Sequence, residues 1–529
     1  MSAVTDKQRS TLRFAAQLML GAVVGKVLGF VREILFAKHL GATAAADSFR
    51  AAMTAVLLPI APLQGDLIPS TLVPLFLEWR REGRSVRMAS SLCMVFTASA
   101  TLLAVLIAVY AEVYVDLLLG GFSPEAKAMT AAFTRAMTPA MPASVLIAYF
   151  GCVEIALGRS RITSIRPSVQ NVSVLIGIGV MSWTGEVIAI AWAFTAGLVL
   201  VALYGLAMLW REGEISPRAV RIGSGFEAVA VFFRRGRPLL IQPLAEQGNT
   251  LLERMLASAL AVGTMASLDY ARTITETVYY AVSQPVGYVV LGHEKAIDLR
   301  ERVRALCSPI LHLALPASAF VITFASDITA VVFGRGAFKA EAIASTALAM
   351  QGIAIGLWAT TLGWILLRML NADQRNGTAA RILACAYAAN MIVNVAMYRW
   401  LGLFGLGLGE AMRGLVLLGG TAYALGCTGV LLRLIARAAP VTLALAATGL
   451  LLQSGVHTPL MRLLAGTGLY GLVLVPWLLF GVPEMAWFRH RVFSRWTKSE
   501  PRVTAPGDAA TAAWEARTLP NEASGNRAP

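Results

Sequence analysis

Of the chain's 529 residues, 57% are hydrophobic and only 14% are charged, and the mean hydropathy is +0.66. A water-soluble chain carries nearly twice that share of charge, so a soluble globule is excluded. The net charge of +15 would suit nucleic acid, but the placement of the basic residues points to a membrane topology instead.

The apolar residues come in blocks of the roughly 20-residue length that a spanning helix needs. They predict an all-α polytopic membrane protein of about fourteen transmembrane helices, near 14–40, 46–77, 88–118, 128–157, 164–184, 187–210, 238–260, 265–291, 304–333, 341–370, 379–399, 404–432, 439–456 and 460–487. Helices are expected because unpaired backbone in lipid is too costly, and the blocks are too long for barrel strands. Lys7, Arg9 and Arg13 precede the first block, which is too long for a signal-peptide core and lacks a cleavage site, so it reads as the first span. Lys26 lies near its middle, with Arg32 and Glu33 beyond it; Lys26 and Glu33, seven apart, share a helix face. Gly21, Gly25 and Gly29 form a small-residue stripe suited to close helix packing. Asp47 and Arg50 open the second block, which Pro59, Pro62, Pro69 and Pro74 interrupt. Such prolines kink or break a span, and broken spans often line transporter sites, which makes Gln64 and Asp66 cavity candidates; a plain kinked helix is the alternative. The seventh block carries Glu246, Gln247, Asn249, Glu253 and Arg254, and the eighth carries Asp269 and Arg272. His312 reads as a packing residue. From about 491 to Pro529 the chain reads as a disordered cytoplasmic tail, rich in Ala, Pro, Glu and Ser.

Two stretches repeat at an offset of 222 residues: Arg32, Gly41, Asp47 and Arg50 match Arg254, Gly263, Asp269 and Arg272. About six spans separate them, so the copies share one orientation, as in transporters built from two parallel halves. The expected organisation is a six-helix lobe over 1–222, a second over 223–435, and two extra helices over 436–490. Arginine and lysine cluster in alternate connections, for example Arg80 to Arg87, Arg159 to Arg166, Lys295 to Arg304 and Arg368 to Arg381, while the connections around Gly41, Gly120, Gly185, Gly263 and Gly455 are poor in them. This positive-inside pattern places both termini in the cytoplasm.

A charge at the bilayer centre costs about 2.5–3.5 kcal/mol on insertion scales, so the intramembrane charges must meet each other or a water-filled cavity. The bland reading is a set of structural ion pairs. The functional one is a cationic cavity in which Lys26, Arg32, Arg50, Arg254 and Arg272 bind an anion, since the planar arginine fork suits a pyrophosphate. Asp47 and Asp269 are as well explained by helix starts as by function. The five cysteines have no metal-site or disulfide spacing, and Gly21 to Lys26 only superficially resembles a phosphate loop, with Val27 where Ser or Thr is needed. No cofactor is called for, and the chain is not itself an ATPase.

Lys26-Val-Leu-Gly-Phe-Val-Arg32-Glu33, then Gly41 and Asp47-Ser-Phe, resembles the opening of the MurJ/MviN family; so do Leu313-Ala-Leu-Pro316-Ala and Phe333-Gly-Arg-Gly-Ala-Phe338. The resemblance implies a non-enzymatic flippase related to MATE exporters. Two lobes would surround a central cationic cavity and alternate between inward-open and outward-open states, with a groove beside the last two helices for a polyprenyl tail. It implies lipid II, the undecaprenyl-pyrophosphate-linked peptidoglycan precursor, as substrate, and cavity roles for Lys26, Arg32, Asp47 and Arg272. The chain departs from the family at Ile60-Ala61, where an arginine pair is usual, and Asp66 falls close to a family acid. Glycan-synthesis proteins are possible partners. An exopolysaccharide or O-antigen unit on the same carrier lipid stays open as substrate, as do a MATE-like drug exporter and a non-transporting scaffold.

Overall fold

The computed structural model describes residues 2–64, 67–292 and 299–485, and among these every regular element is helical. Asp66, Lys295 and the tail lie outside the described residues.

α1 (Ser2–Leu40) runs unbroken through the first block. The second block is broken as its prolines demand. α2 (Ala44–Leu57) ends before Pro59, α3 (Ala61–Gln64) is a single turn, and α4 (Leu67–Arg81) resumes with Pro69 in its first turn, where no intrahelical N–H is needed. α5 (Ser85–Val109) and the short α6 (Ala111–Leu118) make the third block. α7 (Pro124–Met137) and α8 (Ala140–Ala156) meet at Pro139 with a 45° bend. α9 (Arg161–Thr184) and α10 (Ile188–Arg211) follow.

The connection expected after 210 contains α11 (Ile222–Gly236), an amphipathic helix that buries Phe232 against α5 and leaves Ile222 and Phe226 exposed. Then come α12 (Ile241–Ser258), α13 (Thr264–Gly292), α14 (Leu299–Thr323) and α15 (Ala325–Phe333). α16 (Ala340–Ile355) and α17 (Leu357–Ala372) again bend by 45°, at Gly356. α18 (Asn376–Ala424) joins two expected spans through a corner at Gly402, whose φ of 53° and ψ of −129° only glycine adopts readily. The boundary expected near 432–439 lies earlier: Gly426, at φ 65°, ends the turn before α19 (Thr428–Gly455), so Arg433 and Arg437 are helical rather than in a loop. α20 (Pro459–Pro476) is the last long helix.

Six of these helices, plus the two bent pairs, are long and apolar enough to cross a membrane. The other expected spans, α1, α2 to α4, α9, α12 and α13, are the polar or interrupted ones. Length and composition alone therefore pick out eight candidate spans, which cover nine of the roughly fourteen expected because α18 takes in two of them.

Packing is set by small residues. A Cβ on Gly25 would sit 2.6 Å from Pro167 Cβ, so the glycine stripe of α1 lies directly on α9. α19 and α20 are held by Phe324, a fully buried ring in contact with Leu445 and Tyr470. Residues to Leu474 form one unit; a second begins at Val475, its described part being short turns at Trp477–Gly481 and Pro483–Met485.

Candidate functional site

The two copies of the repeat meet. Gly41 and Gly263 both turn the chain with positive φ, at 60° and 87°, so each loop leads from one helix into the next. Asp47 of the first copy accepts hydrogen bonds from the backbone N–H of Gly263 at 2.6 Å and of Ala266 at 2.8 Å. These donors lie at the start of α13, where a helix leaves N–H groups unpaired and favours negative charge. In return the Tyr270 hydroxyl donates to the Gly41 carbonyl at 3.0 Å. The Phe333–Phe338 motif completes this clasp: Ala337 N–H donates to the Lys38 carbonyl at 2.8 Å, and the Tyr270 ring contacts Phe333 and Phe338 at centroid distances of 5.0 and 5.3 Å.

Beside the clasp runs a chain of buried charges. Glu33 pairs with Arg32 at 2.5 Å and Arg50 at 2.6 Å; Arg50 reaches Asp269 at 3.2 Å; Arg254 holds both Asp269 oxygens, at 2.9 and 3.0 Å. Arg32 also donates to Asn171 Oδ1 at 2.9 Å. The Arg50 guanidinium lies over Tyr270 and Phe36, 4.6 and 5.1 Å from the ring centroids. Asp47 and Asp269 are thus not equivalent despite the repeat: one caps backbone, the other bridges two arginines. Arg32, Arg50, Arg254 and Asp269 are engaged with one another in this state, and the bland ion-pair reading describes them well.

A cavity of about 430 Å³ lies among α12, α13, α16, α17 and α18. Arg272 lines it and forks between Glu253 and Glu410, the latter at 2.8 Å; Arg413 holds the other Glu410 oxygen at 2.5 Å and sits 5.6 Å from the Tyr387 ring centroid. Lys26 approaches from α1, 4.0 Å from Glu276 on the cavity wall. Of the predicted site residues, then, Arg272 lines the cavity and Lys26 faces a lining residue. Asp47, Arg50, Arg254, Asp269 and Arg32 sit in the clasp and its charge chain, and Asp66 is outside the described residues.

The wall is not purely cationic: among the described residues it carries Arg272, Arg368 and Arg413 against Glu246, Glu276 and Glu410. Glu410 and Arg413 lie outside the two repeat copies to which the sequence reading tied the cavity; a Glu and an Arg three residues apart inside the apolar block 404–432 carry the same signal. Arg368, at the end of the expected block 341–370 where the basic cluster begins, lies in α17 and lines the cavity.

A model of a family described as lipid II flippase MurJ matches residues 36–479. A probable lipid II flippase MurJ from Thermotoga maritima is 21% identical over 407 residues, covering 76% of this chain and 83% of the relative. One from Rhizobium tropici is 24% identical over 417 residues, covering 74% and 77%. A solved structure described as lipid II flippase MurJ in an inward closed conformation superposes with a TM-score of 0.77 at 18% identity, over 90% of this chain and 99% of that one. The inward-facing form of a multidrug MATE transporter of the MOP superfamily does so at 0.59 and 14%, over 78% and 99%. At these identities the superpositions establish the fold alone.

Proposed function

This chain belongs to the lipid II flippase MurJ family, and from that membership we propose that it carries an undecaprenyl-pyrophosphate-linked sugar across the bacterial inner membrane by alternating access. Like its family it is a lipid-linked precursor flippase and not an enzyme. The proposed arrangement is two parallel lobes, 1–222 and 223–435, with helices in 436–490 beside the lipid tail and both termini in the cytoplasm. The observation that carries the reading is a charged cavity beside a clasp built from the two repeat copies. An alternating carrier needs a polar chamber and a seal that can part, and here the seal is made of contacts between segments about 220 residues apart.

Polar headgroup and pyrophosphate need shelter from lipid; the polyprenyl tail does not. Arginines on the wall suit the pyrophosphate, whereas a drug exporter would favour acids alone. The drive is an ion gradient or the membrane potential: one charge moved through 100 mV is worth about 2.3 kcal/mol, roughly a fifty-fold bias.

A second substrate has one observation in its favour. Ile60 is buried in the core where the family usually places an arginine, so the second span brings fewer cations, and a polysaccharide repeat unit on the same carrier lipid fits as well as lipid II. Depletion of the protein in its host separates the readings. Lipid II accumulating on the inner leaflet supports the first, another lipid-linked glycan supports the second, and unchanged outward delivery of every such glycan, with no paralogue compensating, overturns both.

A further inference from the structure

α17 presents Thr360, Trp364 and Arg368 to the cavity. Four residues along a helix are about 6 Å of rise and just over one turn, so the three form a stripe on one face. The other wall arginines are already neutralised: Arg272 and Arg413 share Glu410, and Arg272 also holds Glu253. Arg368 is half-buried and makes no hydrogen bond or ion pair with a described residue.

The simplest alternative role for Arg368 is to cap the last turn of α17, where a cation suits the helix dipole. A capping arginine donates to the carbonyls of a helix's last turn, as Arg375 does to Ala424 at the end of α18. Arg368 donates to none of α17's. It is a half-buried guanidinium at the cavity wall, one turn from the end of α17, with its donors open to an anion that enters the cavity. One turn away, Trp364 is half-buried and makes no polar contact with a described residue, so its ring offers the cavity a flat apolar face with a polar N–H at one end.

We propose that this stripe is a sugar-phosphate subsite: Arg368 takes the phosphate of the lipid-linked substrate and Trp364 stacks on the ring of the sugar esterified to it. The proposal rests on the flippase reading and adds to it which helix reads the headgroup. The guanidinium fork suits two phosphate oxygens, and the one-turn spacing suits a sugar joined directly to that phosphate. Arg368 also begins the basic run Arg368, Arg375 and Arg381, which the positive-inside pattern places on the side where the substrate is made.

The test measures binding to the full-length protein in lipid nanodiscs. The probes are farnesyl pyrophosphate and farnesyl pyrophosphate carrying N-acetylglucosamine. Arg368→Gln and Arg368→Ala are expected to weaken both probes about tenfold, the scale of one lost charged hydrogen-bonding partner, and Arg368→Lys less. Trp364→Ala is expected to weaken only the sugar-bearing probe, a selectivity that general loosening of the fold would not produce. Wild-type affinity for both probes in Arg368→Gln overturns the phosphate contact, and equal losses for both probes in Trp364→Ala overturn the sugar platform. Wild-type protein binding neither probe overturns the pyrophosphate-linked substrate reading, and the subsite with it.

Discussion

At the scale of single residues, Arg272 is the predicted site residue that lines the cavity. Its two terminal nitrogens hold Glu253 as a pair while one of them also reaches Glu410, a planar fork that a lysine's compact ammonium does not reproduce. Arg272→Ala leaves Glu253, a fully buried carboxylate, without its arginine, and breaking a buried pair costs about 3–5 kcal/mol. Transport, scored by complementation at matched protein levels, is expected to fail in Arg272→Ala and to be only weakly restored by Arg272→Lys. Normal growth with either variant would remove Arg272 from the mechanism. Arg272 was legible because a charge inside an apolar block must be compensated. The same logic could not say by what: nothing in the order of residues told that Asp47 would cap a backbone 216 positions away while Asp269, its repeat mate, would bridge Arg50 and Arg254.

At the scale of elements, the breaks in the second block and the close-packing face of α1 were readable, since proline and glycine act locally; that α9 would be the helix on that face was not. The position of α19 was not, because Gly426 ends a helix in a region where apolar residues run on without interruption. The docking of α19 and α20 also depends on a tertiary fit invisible in sequence. Phe324, between α14 and α15, fills a hollow left by Gly449 and Gly466; a Cβ on Gly466 would lie 2.6 Å from its Cζ. Overpacking of this kind costs about 1–3 kcal/mol. Gly466→Ala is therefore expected to lower the melting temperature of the solubilised full chain, and Phe324→Leu to lower it through lost contacts. The double variant should recover part of the loss, because the smaller side chain makes room for the added methyl. Strict additivity of the two effects would mean that the ring and the glycine do not share a site.

At the scale of the whole carrier, the proposed alternating access requires the clasp to hold in one state and part in the other, and a substitution that acts only in the held state should then shift the balance between them. Gly336 offers such a site. Its φ is 63°, and a Cβ there would lie 2.3 Å from the Lys38 carbonyl oxygen. Gly336→Ala suffers two penalties. The left-handed backbone strain, about 1–2 kcal/mol, belongs to the turn and persists in both states, so it cancels from their ratio. The clash with Lys38 exists only while the clasp is closed. Gly83 supplies the control: its φ is 69° with nothing within 4 Å of the added methyl, so Gly83→Ala has the strain without the clash. The readout is labelling by a membrane-impermeant thiol reagent from outside intact cells. The background carries Cys385→Ser, since Cys385 is exposed and the other four cysteines are buried, with a reporter cysteine at Thr250 on the cavity wall. A cysteine at Ser85, at the start of α5 beside the Arg80 to Arg87 cluster, fixes the sidedness and should stay unlabelled, in keeping with cytoplasmic basic loops. A clash worth about 1.4 kcal/mol shifts a two-state ratio tenfold, so labelling at position 250 should rise about that much in Gly336→Ala and not in Gly83→Ala. An unchanged rate in Gly336→Ala would mean that the Lys38–Ala337 contact is no part of the outer seal, and efficient labelling at position 85 would invert the proposed topology.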